Sequence, residues 1–283
     1  MILDLLRLVS RVLLAAAIIC NPQASRAVED GATLRIALVA DPHVSVEEQY
    51  LNYNTNFEMV IREVNEAKVN IVLVAGDLTN YGRREEFESY NRMIKGFKAA
   101  VVSVAGNHDV GNKVMIGTET TLSDERLDAY RQHVGPLFES VSITAQYRVV
   151  GITSSLLASG LERDQHQWEF LKRELPSHEG EFVILLMHYP LYINDPNESD
   201  DYMNLAPQPR LRLLDLAQRA GVKLLLTGHQ HLPMDQEFKG IRMIGGPASS
   251  FGLPEGIQPE GWILLTCSSD GTVKIQHQYL KGE

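Results

Sequence analysis

The chain has 283 residues, enough for one large domain or two small ones with a substantial core. Hydrophobic content of 44% and charged content of 22% are ordinary for a globular protein, while a formal net charge of −10 argues against a stable nucleic-acid partner. With cysteine only at positions 20 and 267, a sulfur-based zinc site is excluded.

Residues 1–27 place Arg7 and Arg11 before an apolar run from Val12 to Cys20, followed by Asn21-Pro22 and the small-x-small pattern Ser25-Arg26-Ala27. This is the layout of a secretory signal peptide cleaved after Ala27, with an uncleaved anchor as the alternative. Export to a periplasmic, secreted or envelope-associated location is therefore expected, with membrane contact only if the segment is retained. Cleavage would leave a domain of residues 28–283 with 23 basic and 35 acidic residues and a single cysteine.

Short runs rich in Val, Ile and Leu then recur at Leu34–Ala40, Ile71–Ala75, Ala100–Ala105, Phe182–Met187 and Val222–Thr227. Apolar residues at consecutive positions predict strands buried on both faces. Helical patterns lie between them at Asn56–Ala67, Arg84–Lys95, Ser123–His133, Asp164–Glu174 and Arg210–Ala220, the last stopped by Gly221. The alternation predicts an α/β fold with a large parallel component. Four later runs, Gln236–Phe238, Ile241–Ile244, Trp262–Thr266 and Val273–His277, predict an antiparallel section packed on it within one domain. Asn194–Gln208 reads as a long polar loop.

Each core strand runs into a residue able to bind a metal. Asp41 and His43 follow the first, Gly76-Asp77 the second, Gly106-Asn107-His108-Asp109 the third, His188 the fourth, and Gly228-His229-Gln230-His231 the fifth. Sites in open α/β sheets form outside the carboxyl ends of strands, so five adjacent ends would converge on one crevice. On an extended chain, residues i and i+2 point the same way, which would pair Asp41 with His43 and His229 with His231. Carboxylate, amide and imidazole ligands without sulfur suit Mn, Fe or Zn. Any one of these residues alone could be a turn former or a satisfied buried histidine; the ordered set is what carries the inference. His133, His166, His178 and His277 are expected to be structural or solvent-facing, and Trp168 to serve packing.

Asp-x-His, Gly-Asp, Gly-Asn-His-Asp, a lone His and Gly-His-x-His, in this order, resemble the motif set of the calcineurin-like metallophosphoesterases. The resemblance implies an α/β fold built as a central β-sandwich of two mixed sheets flanked by helices, in a single domain. It also implies two divalent transition-metal ions, one held by Asp41, His43 and His231, the other by Asn107, His188 and His229, with Asp77 bridging both. A hydroxide shared between the ions would attack phosphorus, His108 would protonate the leaving oxygen, and Asp109 would orient His108. Asn80 and Tyr81 depart from the purple acid phosphatase and serine/threonine phosphatase patterns, and Ala105 from the latter. Gly76–Gly82 resembles class III cyclic-nucleotide phosphodiesterases, while Tyr202-x-Asn204 and the segment from Arg210 resemble a calcineurin-like phosphoesterase domain-containing group that includes an animal cytosolic phosphatase. The expected substrate is a small-molecule or peptide phosphate ester, preferably a monoester; cyclic nucleotides or other diesters are the alternative, and metal binding without turnover is the alternative of another class. Asn80, Tyr192, Tyr202, Asn204 and Arg210 are the candidate substrate-binding residues.

Overall fold

The computed structural model describes residues 33–115, 120–175, 181–268 and 271–281. The expected signal peptide and His178 lie outside the described residues. In chain order the elements are β1 Leu34–Val39, α1 Leu51–Ala67, β2 Ile71–Ala75, α2 Arg84–Met93, β3 Ala100–Val104, α3 Asn107–Val110, α4 Asp124–His133, β4 Phe138–Ser142, β5 Tyr147–Ile152 and α5 Glu162–Glu174. They continue with β6 Phe182–Leu186, α6 Pro207–Arg219, β7 Leu224–Thr227, β8 Met234–Phe238, β9 Ile241–Gly245, β10 Gly261–Cys267 and β11 Val273–Tyr279. Among the described residues no helix is long and apolar enough to cross a membrane.

The strands form two mixed sheets, ordered β11-β10-β1-β2-β3 and β4-β5-β6-β7-β9-β8. In the first, β1, β2 and β3 are parallel neighbours linked through α1 and α2; in the second, β5, β6, β7 and β9 are parallel. The continuous apolar runs now have a cause, because alternate residues enter different cores. Ile36, Leu38 and Leu73 meet Val149, Ile184, Leu186 and Leu226 between the sheets. Ala37, Val39, Val72 and Val74 face outward onto Phe57, Val60, Phe87 and Leu127 of α1, α2 and α4. Val183, Leu185, Leu225 and Met243 pack in the same way against Trp168, Leu171, Leu213 and Ala217 of α5 and α6. Full burial of each such side chain contributes about 1.5–3 kcal/mol, so the helix–sheet–sheet–helix sandwich is held by three apolar layers.

Two expectations change. The late antiparallel strands are not one section: β8 pairs with β9 in the second sheet, while β10 pairs with β1 and β11 in the first. β4 and β5 add to the expected strands; β4 is a half-buried edge strand whose sequence, FESVS, has no apolar run to signal it. α6 also begins earlier than expected, at Pro207, where a fixed φ suits the first turn and the missing N–H leaves no bond unmade.

Candidate metal centre

The loops after β1, β2 and β3 meet those after β6 and β7 at one end of the sandwich. The five strand ends are therefore drawn from two facing sheets and not set side by side in one open sheet. Backbone bonds stitch the loops together: Asp41 N–H donates to the Gly76 carbonyl at 3.2 Å, His43 N–H to Asp77 at 2.9 Å, and Gly228 N–H to His188 at 3.1 Å. Across the sheets, His229 N–H lies 3.0 Å from both Asp41 carboxylate oxygens. Two glycines make this closeness possible. A Cβ on Gly106 would fall 2.1 Å from Asp77 N and Oδ1, and one on Gly76, itself at φ +86°, would fall 2.5 Å from His188 Nδ1.

The paired ligands converge for a different reason from the one the spacing suggested. Asp41, His43, Asp77, His229 and His231 all have positive φ, between 44° and 73°, so these segments are left-handed turns and not extended chain. Such conformations cost non-glycine residues on the order of 1 kcal/mol or more each and persist where the surroundings over-determine them. Five of the seven candidate ligands carry that strain.

Seven side chains come together, all buried: Asp41, His43, Asp77, Asn107, His188, His229 and His231. Asp41, His43 and His231 form one compact set, and Asp77, His188 and His229 a second; Asp77 also groups with His43 and His108. His188 Nε2 is 2.9 Å from Asn107 Oδ1, 3.3 Å from Asp77 Oδ2 and 3.2 Å from His229 Nδ1. His43 Nε2 is 3.2 Å from His231 Nε2 and 3.6 Å from Asp77 Oδ2.

The opposite ring nitrogens are tied to backbone carbonyls. His188 Nδ1 pairs with Ala75 O at 2.8 Å, His229 Nε2 with Tyr202 O at 3.0 Å, and His231 Nδ1 with Phe251 O at 2.7 Å. A proton held on each of those nitrogens turns the other nitrogen's lone pair inward, which is how proteins prepare histidine for a metal. His43 is the exception: its buried Nδ1 has no partner among the described residues, and the ring is steadied by Tyr53 and Phe251 at centroid distances of 6.5 and 5.3 Å.

These inward lone pairs and carboxylates repel one another unless positive charge lies among them. Burial pushes the Asp41 carboxyl up to about 8, against the pull of His188. Burial would also depress His188, yet the Asp77 and Asp41 carboxylates raise it to about 9. Asp77 is held well below the usual carboxylate range, despite its burial, by His188, His108 and His43. Burial, together with neighbouring imidazoles, keeps His43 and His229 well below the usual range and lowers His231 to about 4. Carboxylates and imidazoles crowded together in this way fit divalent cations, which would displace the protons that burial and neighbouring charges favour on Asp41 and His188. Carboxylate, amide oxygen and imidazole donors fit a transition metal.

The expected support of His108 by Asp109 is not what the structure has. His108 Nδ1 pairs with the Asn80 carbonyl at 2.7 Å. The buried Asp109 carboxylate instead accepts from Leu78 N–H and Thr79 N–H at 3.0 Å each, the Thr79 hydroxyl at 2.7 Å and Gly106 N–H at 2.8 Å. It ties the Gly-Asp loop to the Gly-Asn-His-Asp loop, leaving no oxygen for His108.

The candidate substrate residues divide. Asn80 lies beside His108, and Tyr202, 41% exposed, accepts from Asn107 Nδ2 at 3.1 Å with its ring 4.9 Å from that of His229. Arg210 is fully buried and donates to the carbonyls of Leu205, Pro196 and Glu198, so its guanidinium clamps the long loop and cannot grip a phosphate. Asn204 binds Glu198 and Ser199 of the same loop, and Tyr192 packs edge-on to Phe238 in the apolar core. Both are structural for the same reason: their polar or apolar contacts lie within the loop and core. His133 stacks on Phe87, His166 pairs with Glu162, His277 stacks on Tyr279, and Trp168 packs under Arg212. Phe251 and Ala75 were missed, since a carbonyl that anchors a histidine leaves no signature in residue type.

The family model described as calcineurin-like phosphoesterase matches residues 34–233. The chain is 25% identical over 259 residues to the 3',5'-cyclic adenosine monophosphate phosphodiesterase CpdA of Haemophilus influenzae, covering 86% of this chain and 89% of that protein. It is 27% identical over 235 residues to the serine/threonine-protein phosphatase CPPED1 of Homo sapiens, covering 78% and 71%. Among solved structures, a dimetal phosphatase from Danio rerio superposes with a TM-score of 0.58 at 13% identity, over 87% of this chain and 96% of that one. The purple acid phosphatase of yellow lupin superposes at 0.61 and 15% identity, over 88% of this chain and 52% of that one, a likeness of fold.

Proposed function

Because the chain belongs to the calcineurin-like phosphoesterases, hydrolases of phosphoric esters whose relatives include dimetal phosphatases, we propose that it hydrolyses a phosphodiester with two divalent transition-metal ions. One ion would be held by Asp41, His43 and His231, the other by Asn107, His188 and His229, with Asp77 serving both. The observation that carries this reading is the position of Asp77 among the lone pairs of both sets. When bound, such a pair supplies Lewis acidity toward a phosphoryl oxygen and acidifies water. His108, with Nδ1 engaged by Asn80, is left with Nε2 to deliver a proton to the leaving oxygen as its bond to phosphorus breaks.

The preference for a diester departs from the monoester preference expected from the sequence, and it rests on charge. Gripping a dianionic monoester calls for a cationic clamp. Arg210 is committed to the loop, Lys113 to Asp200 at 2.6 Å and Arg83 to Glu47 at 2.6 Å. With those cationic side chains committed elsewhere and the metal ions supplying the positive charge at phosphorus, a singly charged diester is the better match. A monoester remains the second reading, favoured by likeness to CPPED1, just as likeness to CpdA favours the first. Export of the enzyme, read from residues 1–27, would direct it to substrates outside the cytoplasm; N-terminal sequencing of the secreted protein beginning at Val28 would support this.

Initial rates on bis-p-nitrophenyl phosphate and p-nitrophenyl phosphate with Mn²⁺ decide the matter. The diester should be faster and chelator should abolish both rates. A faster monoester would overturn the diester preference, and turnover unaffected by chelator would overturn the metal reading.

A further inference from the structure

Tyr202 touches two candidate ligands at once, and both belong to the same side of the centre. Its carbonyl accepts from His229 Nε2 at 3.0 Å, and its phenol oxygen accepts from Asn107 Nδ2 at 3.1 Å. The first contact keeps the His229 proton on Nε2 and turns the Nδ1 lone pair toward His188. The second decides which way round the Asn107 amide sits: nitrogen toward Tyr202, oxygen toward His188 Nε2 at 2.9 Å. An amide reversed by 180° would present N–H donors to the centre, which cannot ligate a cation. His231, on the other side, is oriented by Phe251 and not by Tyr202.

The loop that carries Tyr202 is itself fixed. Two residues earlier, Asp200 meets Lys113 Nζ at 2.6 Å, a pair only 7% and 2% exposed that ties the loop to the segment following α3. Asp201, Asn204, Glu198 and Arg210 complete a local network around it. A tyrosine held this firmly, yet 41% exposed, is placed by its polar contacts more than by burial.

We propose that Tyr202 is a positioning residue that sets metal affinity selectively at the Asn107–His188–His229 side. This rests on the two-metal reading above. Removing such a support typically weakens metal binding by about 10–100-fold. Tyr202→Phe deletes the phenol oxygen and keeps both the ring and the carbonyl.

The test is calorimetric titration of metal-stripped protein with Mn²⁺. In Tyr202→Phe one of two binding steps should weaken about 10-fold or more, with the other within about twofold. The melting temperature of the metal-stripped variant should match that of the metal-stripped wild type. In the Asn107→Asp background, where both side-chain termini are oxygen, Tyr202→Phe should have little further effect. Unchanged binding steps with a raised KM for bis-p-nitrophenyl phosphate would overturn the proposal in favour of substrate contact. Equal weakening of both steps with a lowered melting temperature would overturn it in favour of a general loop role. Wild-type protein that binds no Mn²⁺ would instead sink the two-metal reading, a distinct outcome.

Discussion

Asp109 and His108 are neighbours in the chain with separate tasks. His108 is oriented by a backbone carbonyl, and Asp109 satisfies three backbone N–H groups and a hydroxyl. Leaving those donors unpaired in the interior costs about 1–3 kcal/mol each before relaxation. Asp109→Ala should therefore lower stability by about 3–5 kcal/mol in urea unfolding, a size typical of broken buried networks. If stability is unchanged and only the rate falls, Asp109 serves His108 after all. His108→Ala should lower kcat by about 10²–10⁴-fold while metal content stays intact, because the seven candidate ligands remain and the His108 ring hydrogen-bonds to the Asn80 carbonyl. Loss of metal together with rate would instead make His108 a ligand.

The turns between elements, more than the elements, build the centre. Gly106 precedes α3, and any side chain there would enter the space of Asp77. Gly106→Ala should displace the Asp77 carboxylate and abolish tight Mn²⁺ binding, even if circular dichroism keeps its native shape. Binding at wild-type strength would refute the close approach. Strand β10 offers a check on the opposite end of the fold. Burial pushes the Cys267 thiol up to about 12. Its folded value lies above the ordinary value of 9.0, so its contribution to stability is complete below about pH 9 and is lost as pH rises toward 12. At pH 8 the peptide containing Cys267 should resist iodoacetamide until denaturant is added, as judged by mass spectrometry.

Across the whole molecule, the candidate ligands come from both sheets: Asp41, His43, Asp77 and Asn107 from the segments that follow β1, β2 and β3 of the first, His188, His229 and His231 from loops of the second. Metal ions bound there would cross-link the open end of the sandwich. Each ion present at 100 times its dissociation constant adds about 2.7 kcal/mol. Two ions should raise the melting temperature by roughly 10–20 °C for a domain of this size. Differential scanning calorimetry with and without chelator measures this directly, and an unchanged transition would mean that the sandwich does not close on metal.

The strand–helix alternation and the ordered polar residues behind five strands are legible in the residue order, because burial on both faces demands unbroken apolar runs and metal chemistry demands specific side chains. The residue order did not separate the late strands, since β8–β9 and β10–β11 look alike locally and only distant partners assign them to different sheets. Nor could it distinguish Arg210, a candidate substrate-binding residue, from a buried loop staple, because the difference lies in carbonyls brought close by folding. The choice of chemistry was written in residue types. The convergence of the ligands through left-handed turns, and the tautomers held by Ala75, Tyr202 and Phe251, were decided by tertiary structure, where backbone geometry acts without regard to which side chain is attached.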